Sequence, residues 1–120
     1  MIIEPAGLRV TEAEVALAVI AFLRTRSYGE ADFNTIRFNL PKFIKLSPAD
    51  REVSHSRAPE PKWFGIVRNI GAHDTQPGNA IYEGLLVKRR GGGYQLASKV
   101  KNPAEVKKPA ETMGPIGYPW

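Results

Sequence analysis

The stretch PKWFGIVRNIGAHDTQPGNAIYEGLLVKRRGGGYQLA, residues 61–97, combines a pattern of helical period with a pattern of strand period. In its first part four apolar residues recur at intervals of three and four, which predicts a helix over 61–73 with these side chains toward the core. They are Trp63, Ile66, Val67 and Ile70. The opposite side of the helix carries polar and cationic side chains: Lys62, Arg68, Asn69 and His73.

The second part of the stretch predicts two strands joined by a short turn. Tyr82–Lys88 is rich in residues that favour strands, and Gly93–Ala97 alternates between apolar and polar residues. Between them lie Arg89, Arg90 and a run of glycines. The segment is therefore expected to form a β-hairpin whose glycine-rich tip carries two cations.

The N-terminal part predicts a helix that is apolar on nearly all sides. Thr11 followed by Glu14 has the spacing of a capping box, so the helix should begin near Glu12. Apolar residues then continue to Leu23. Such a helix is expected either at the centre of the core or partly covered by a second subunit.

Two more helices are expected between that helix and the one that contains the tryptophan. Ser27 opens a second capping-box spacing ahead of a helical pattern, which should break near Pro41. Ser47 followed by proline predicts a fresh short helix over about 48–54. The polar, proline-containing segment 54–61 is typical of a loop.

Composition limits the class of protein. The chain of 120 residues has 17 Lys and Arg against 12 Asp and Glu, a net charge of +5, which favours an anionic partner. With no cysteine and two histidines, no disulfide, metal site or cofactor is expected. The longest apolar run, Val15–Leu23, is too short to span a bilayer, and no secretion signal is visible. We expect a cytoplasmic protein without membrane contact, with one domain over 1–98 and a disordered Pro/Lys-rich tail over 99–120.

The order of elements, three or four helices and then a two-stranded hairpin, is that of an α+β winged-helix domain, a variant of the helix-turn-helix. In such a domain the last helix can enter the major groove of DNA, and the hairpin wing can reach the flanking backbone. Arg68 and Asn69 suit contacts with bases, whereas Lys62, Lys88 and the Arg89–Arg90 pair suit phosphates. The alternative for the helix charges is an ordinary solvated face, and for His73 it is a helix C-cap.

Three segments also carry a resemblance to a known family: LPKFIKLSPADREVSHSR (40–57), EPKWFGIVRNIGAHD (60–74) and NAIYEGLLVKRRGGGYQLA (79–97). They are similar to the winged-helix domain at the N-terminus of Mrr-type and related modification-dependent restriction endonucleases. The resemblance spans roughly Thr11–Ser98. It implies DNA contact from the helix around Arg68 and Asn69 and from the wing around Arg89 and Arg90. It does not extend to a nuclease domain, and no nuclease motif, phosphate loop or nucleophile elbow is visible.

The sequence thus predicts a basic protein, not an enzyme, that binds double-stranded DNA as a regulator or specificity module. The expected nucleic-acid-binding residues are Lys62, Arg68, Asn69, His73, Lys88, Arg89 and Arg90. A competing interpretation is a winged-helix protein–protein adaptor that uses the apolar first helix and the aromatic tail ending in Tyr118–Trp120. A homodimer through the first helix is also left open. Catalysis is not expected, because the carboxylates are scattered and no nucleophile–base pair is visible.

Overall fold

The computed structural model describes residues 2–55 and 59–100. This part of the chain has a mixed α+β fold with four α-helices and two small antiparallel sheets, one of three strands and one of two. In chain order the elements are α1 (Glu12–Leu23), β1 (Glu30–Ala31), α2 (Phe33–Asn39), α3 (Pro48–Arg51), β2 (Val53–Ser54), β3 (Glu60–Pro61), α4 (Lys62–Ala72), β4 (Leu86–Lys88) and β5 (Tyr94–Leu96). Two 3-10 turns, Leu40–Lys42 and Ala97–Lys99, follow α2 and β5. The part of the predicted tail that follows Val100 lies outside the described residues.

Helix α1 is the centre of the core. Its predicted capping box is confirmed: the Thr11 hydroxyl accepts the N–H of Glu14 at 3.1 Å, and the Glu14 carboxylate accepts the N–H of Thr11 at 2.9 Å. Seven of its twelve residues are buried, on several sides of the helix. Leu17 is the large apolar side chain of α1 that stays exposed. Most of the apolar circumference of α1 is therefore covered by the rest of the described chain.

The second helix begins later than the capping pattern predicts. Asp32, not Ser27, is its N-cap, because the Asp32 carboxylate accepts the N–H of Thr35 at 2.8 Å. The residues ahead of it, Glu30–Ala31, form strand β1, which the sequence analysis did not predict. The break expected near Pro41 is confirmed, since α2 ends at Asn39 and the proline lies in a 3-10 turn.

The third helix is shorter than predicted, and the segment after it is not simply a loop. Ser47 caps α3 as expected, but the helix ends at Arg51 instead of 54. Glu52 turns extended because Val53–Ser54 pairs with Glu60–Pro61 in a two-stranded sheet. The prediction of a loop over 54–61 is therefore wrong at both ends of the segment, where the residues belong to strands.

Helix α4 carries the predicted apolar face. Trp63, Val67 and Ile70 are buried, and Ile66 packs against the core from its edge. Pro61 and His73, which were expected inside the helix, are its two caps. The tryptophan is thus a core residue, as the spacing predicts.

The predicted strand over 82–88 forms only from Leu86, because the residues before it fold into a turn around a buried asparagine. The Asn79 carbonyl oxygen accepts the N–H groups of Ile81 and Tyr82, and its amide donates to the Ile70 carbonyl at 2.9 Å. Strands β4 and β5 then pair antiparallel, as expected for a hairpin.

The sheet of three strands has the order β1–β5–β4. Strand β1 crosses so close to Gly93 that a Cβ there would lie 2.0 Å from the Ala31 carbonyl oxygen. Gly91, Gly92 and Gly93 all have positive φ angles, between 88° and 106°. The glycine run at the hairpin turn is therefore required by the backbone path and by the approach of β1.

Candidate nucleic-acid interface

The hairpin and helix α4 are joined by the side chain of Tyr94. Its buried hydroxyl donates to the Val67 carbonyl at 2.6 Å and accepts the N–H of Gly71 at 2.9 Å. These two backbone groups are four residues apart, the separation at which groups of a helix normally bond each other. Gly71 has no side chain, and a Cβ at this position would lie 3.3 Å from the hydroxyl. Strand β5 is thereby fixed against one turn of α4.

The free side of α4 presents Arg68 and Asn69, both exposed. The Asn69 side-chain amide has no hydrogen-bond partner among the described residues, so it remains available to an incoming group. Gly65 and Ala72 flank these residues one turn away on either side. This side of α4 is therefore the part of the predicted site that is most accessible to a partner.

Lys88 and Arg89 point to opposite faces of the hairpin. Lys88 is in register with Tyr94 and extends to Asp74, just after α4, with 3.0 Å between Nζ and the carboxylate. Arg89 extends across β5 to Glu30 on β1, with 3.0 Å between Nε and the carboxylate. The side chains therefore do not form one patch, because successive residues of a strand alternate between its faces.

Five of the seven predicted binding residues have an acidic partner. The pairs are Lys62–Glu52 (3.1 Å), Arg68–Glu60, His73–Glu12 (2.6 Å), Lys88–Asp74 (3.0 Å) and Arg89–Glu30 (3.0 Å). In each pair both side chains keep between about a quarter and two thirds of their surface exposed. Ion pairs this exposed contribute little to stability, so a phosphate can compete with the carboxylate for the cation. Asn69 and Arg90 are the two members without such a partner in the described part of the chain.

The Arg68–Glu60 pair is bidentate, with one of its two hydrogen bonds at 3.1 Å. The hydrogen bonds from Arg68 lower the pKa of the Glu60 carboxyl, and the same bonds raise the pKa of the Arg68 guanidinium. Glu60 reaches this position because β3 pairs with β2. Glu52, the partner of Lys62, is the residue directly before β2, so of these two acids Glu60 is the one that lies within an unpredicted strand.

Arg37 of α2 lies beside this pair and was not singled out from the sequence. Its guanidinium carbon is 5.6 Å from the centre of the Phe33 ring and 4.7 Å from that of Phe64. Burial and the positive charge of Arg68 lower the pKa of Arg37, against a smaller opposing influence of Glu60. The spacing of Phe33 and Arg37, one helical turn apart, was the signal that could have identified it.

A groove of about 390 Å³ runs between α1 and the segment after α4, and Arg68 is not among the residues that line it. Leu17 and Leu85 line it, and about half of each side chain is exposed. The Ala97 N–H donates to the Leu85 carbonyl at 3.1 Å, so the last described residues pass close to this groove. It is an apolar surface distinct in chemistry from the charged side of α4.

Within residues 2–55 and 59–100, no helix is long and apolar enough to cross a membrane. The same ranges hold no group of three or more His, Cys, Asp or Glu side chains placed to bind a metal ion. No protein-family model, curated protein or solved structure matches the chain. The resemblance to the Mrr-type winged-helix domain therefore stays a prediction.

Proposed function

We propose that the chain is a winged-helix protein that binds duplex DNA through α4 and the β4–β5 hairpin, as a regulator or specificity module. The observation that carries the proposal is the contact between these two elements, with β1 added beside the hairpin in the order β1–β5–β4 and Tyr94 tying β5 to α4. A helix with an adjoining hairpin is the pair of elements that a winged-helix domain presents to DNA. In that arrangement the helix reads the major groove and the wing meets the flanking backbone.

The chemistry of the exposed residues supports the same partner. The free amide of Asn69 suits the edge of adenine, and Arg68 suits guanine or a phosphate. Arg90 at the hairpin turn is an unpaired cation among the described residues, which suits a phosphate contact. A phosphate can also take the place of the carboxylate in an exposed ion pair, since such pairs contribute little to stability. The acidic partners then lower the affinity for DNA without removing the contacts.

The test is a fluorescence-anisotropy titration of a labelled duplex with the full chain and with two charge-matched double variants. Arg68→Gln with Arg90→Gln removes two cations from the proposed surface, whereas Arg24→Gln with Lys45→Gln removes two from outside α4 and the hairpin. We expect the first to weaken binding about tenfold and the second by less than about twofold. Equal losses would mean that net charge alone attracts DNA. Absence of binding by the unmodified chain would overturn the proposal.

A protein–protein adaptor is the second candidate, and the exposed Leu17 and Leu85 in their groove favour it. Paired exposed leucines mark interaction surfaces more often than they mark DNA contacts. The aromatic tail of this interpretation lies outside the described residues. Leu17→Glu with Leu85→Glu would abolish capture of a stoichiometric protein partner while leaving duplex binding intact. If the two substitutions impaired duplex binding instead, the groove would not be a separate adaptor surface.

A further inference from the structure

We propose that Arg37 binds a phosphate group, and that this phosphate belongs to the backbone of the duplex held by α4 and the hairpin. The identity of the ligand as DNA rests on the proposed function. The site itself rests on the surroundings of Arg37, which no sequence motif marks.

The first step is that the guanidinium of Arg37 is held in place by aromatic rings. Phe33 lies one helical turn before it on α2, and Phe64 comes from α4, with ring centres 5.6 and 4.7 Å from the guanidinium carbon. An Arg held on aromatic faces keeps its charge and its planar set of donors, and it loses less side-chain freedom when it binds an anion. The site is therefore preorganised.

The second step is that Arg37 lacks a partner for its charge. Its Nε is buried and has no hydrogen-bond partner among the described residues, and no carboxylate of this part of the chain lies within ion-pair distance of it. Glu60, the acid whose charge acts on Arg37, uses both carboxylate oxygens for Arg68. Two guanidinium groups thus share one carboxylate, which leaves a local positive charge that an anion would neutralise.

The third step is the position of Arg37 between the two elements that are proposed to contact DNA. Phe33 packs edge-on against Tyr94, with 5.4 Å between ring centres, and lies beside the hairpin turn, where a Cβ added at Gly92 would be 3.4 Å from its ring. Phe64 and Arg68 lie on α4. A phosphate at Arg37 would therefore be adjacent to both α4 and the hairpin turn, where the backbone of a duplex in contact with both would run.

A purely packing role, in which Arg37 only covers the two rings, makes a different prediction from phosphate binding. Arg37→Gln keeps most of the aliphatic stem but removes the charge and the fork of donors. For phosphate binding we expect the salt dependence of duplex binding to fall by about 0.9 in log–log slope, with about a three- to tenfold loss of affinity. For packing alone the slope would not change. Arg24→Gln, which removes the same charge outside this surface, is the matched control.

A second measurement uses the unmodified full chain, so it does not depend on how well the variant folds. The Nε–Hε cross-peak of Arg37 is followed by nuclear magnetic resonance while inorganic phosphate, and separately a short duplex, is added. We expect a saturable shift with both. A shift with phosphate together with no binding of the duplex would retain the site and overturn DNA as its ligand, together with the proposed function. Duplex binding with no shift at Arg37 would overturn the inference and leave the proposed function standing.

Discussion

The hydroxyl of Tyr94 is the polar group on which the contact between the hairpin and α4 depends. It connects the Gly71 N–H and the Val67 carbonyl in a place where water has no access, since Tyr94 is 1% exposed. Burial raises the pKa of Tyr94 to about 12. Ionisation of the Tyr94 hydroxyl therefore opposes the contact between the hairpin and α4.

The first prediction concerns that ionisation. Because the pKa is raised above its unfolded value of about 10, the stabilisation from Tyr94 is fully present below pH 10 and is lost as the pH rises toward 12. We expect the free energy of unfolding to fall by about 2–3 kcal/mol over this range from Tyr94 alone. Spectrophotometric titration should show one of the four tyrosines ionising near pH 12, and Tyr94→Phe should remove that step. Persistence of the step in the variant would contradict the assignment.

Asp50 gives the second prediction, because it is a buried carboxylate that holds two segments together. It accepts the Val10 N–H at 2.9 Å and the Ser47 N–H at 3.0 Å, and it is 2% exposed. Asp50→Ala should lower the free energy of unfolding by about 2–4 kcal/mol, since two donors lose their acceptor. Asp74→Ala, which removes a carboxylate from an exposed pair, should cost less than about 1 kcal/mol. Equal losses in urea denaturation would contradict this account of Asp50.

At the scale of single residues, the sequence predicted features that depend on neighbouring residues, such as helix caps, but not ion pairs between residues far apart in the chain. The cap Thr11 follows from a spacing of three residues and the cap Ser47 from the proline after it, and both are confirmed, whereas the spacing at Ser27 was misleading. The partners of Arg89 and His73 lie 59 and 61 residues away in the chain. No local pattern reports such a pairing, because it is created by the packing of α1 and β1 against the hairpin and α4.

Among the elements, the two-residue strands β1, β2 and β3 were missed. A strand of two residues carries no alternation to detect, and each exists only because a distant segment supplies its partner. Helix α1 was predicted well because a capping box and a continuous apolar run mark it, and α4 because its spacing determines which side is buried. The missed strands matter for the site, since β1 carries Glu30 and β3 carries Glu60.

The third prediction tests how strand β1 is attached. Gly93→Ala would place a Cβ 2.0 Å from the Ala31 carbonyl oxygen, at a φ of 95°. Backbone must move, so we expect a loss of more than about 3 kcal/mol in thermal or urea unfolding. Gly78→Ala is the matched control, because Gly78 has a φ of 90° and open space around it. It should cost only about 1–2 kcal/mol. If the two variants were equally destabilised, the approach of β1 would not be the cause.

Over the whole molecule, the net charge of +5 does not mean that the cations of the proposed surface lack acidic partners. The sequence predicts where the cations lie, on α4 and the hairpin. It could not predict that five of the seven residues are paired, or that Arg37 joins them from α2. Affinity for an anionic partner is consequently set by the balance between phosphates and the acids of the protein itself.

The fourth prediction follows from that balance. Glu60→Gln frees Arg68 and removes a negative charge that acts on Arg37, so duplex binding should tighten by about three- to tenfold at low salt. Glu4→Gln removes an exposed negative charge outside the described helices and strands and should change the affinity by less than about twofold. Anisotropy titrations of both variants provide the comparison. Weaker binding by Glu60→Gln would mean that the carboxylate holds Arg68 in its working position, contrary to the account given for this pair.

The central claim, that α4 and the hairpin together meet the phosphates of a duplex, is tested most directly by the salt dependence of DNA binding by the unmodified chain. Arg37 and Arg90 are free to contact phosphates, and Lys62, Arg68 and Lys88 can do so by exchange of their carboxylate partners. A plot of log affinity against log salt concentration should therefore be linear with a slope between about −2 and −5. A slope flatter than about −1, or no measurable binding at low salt, would contradict the claim.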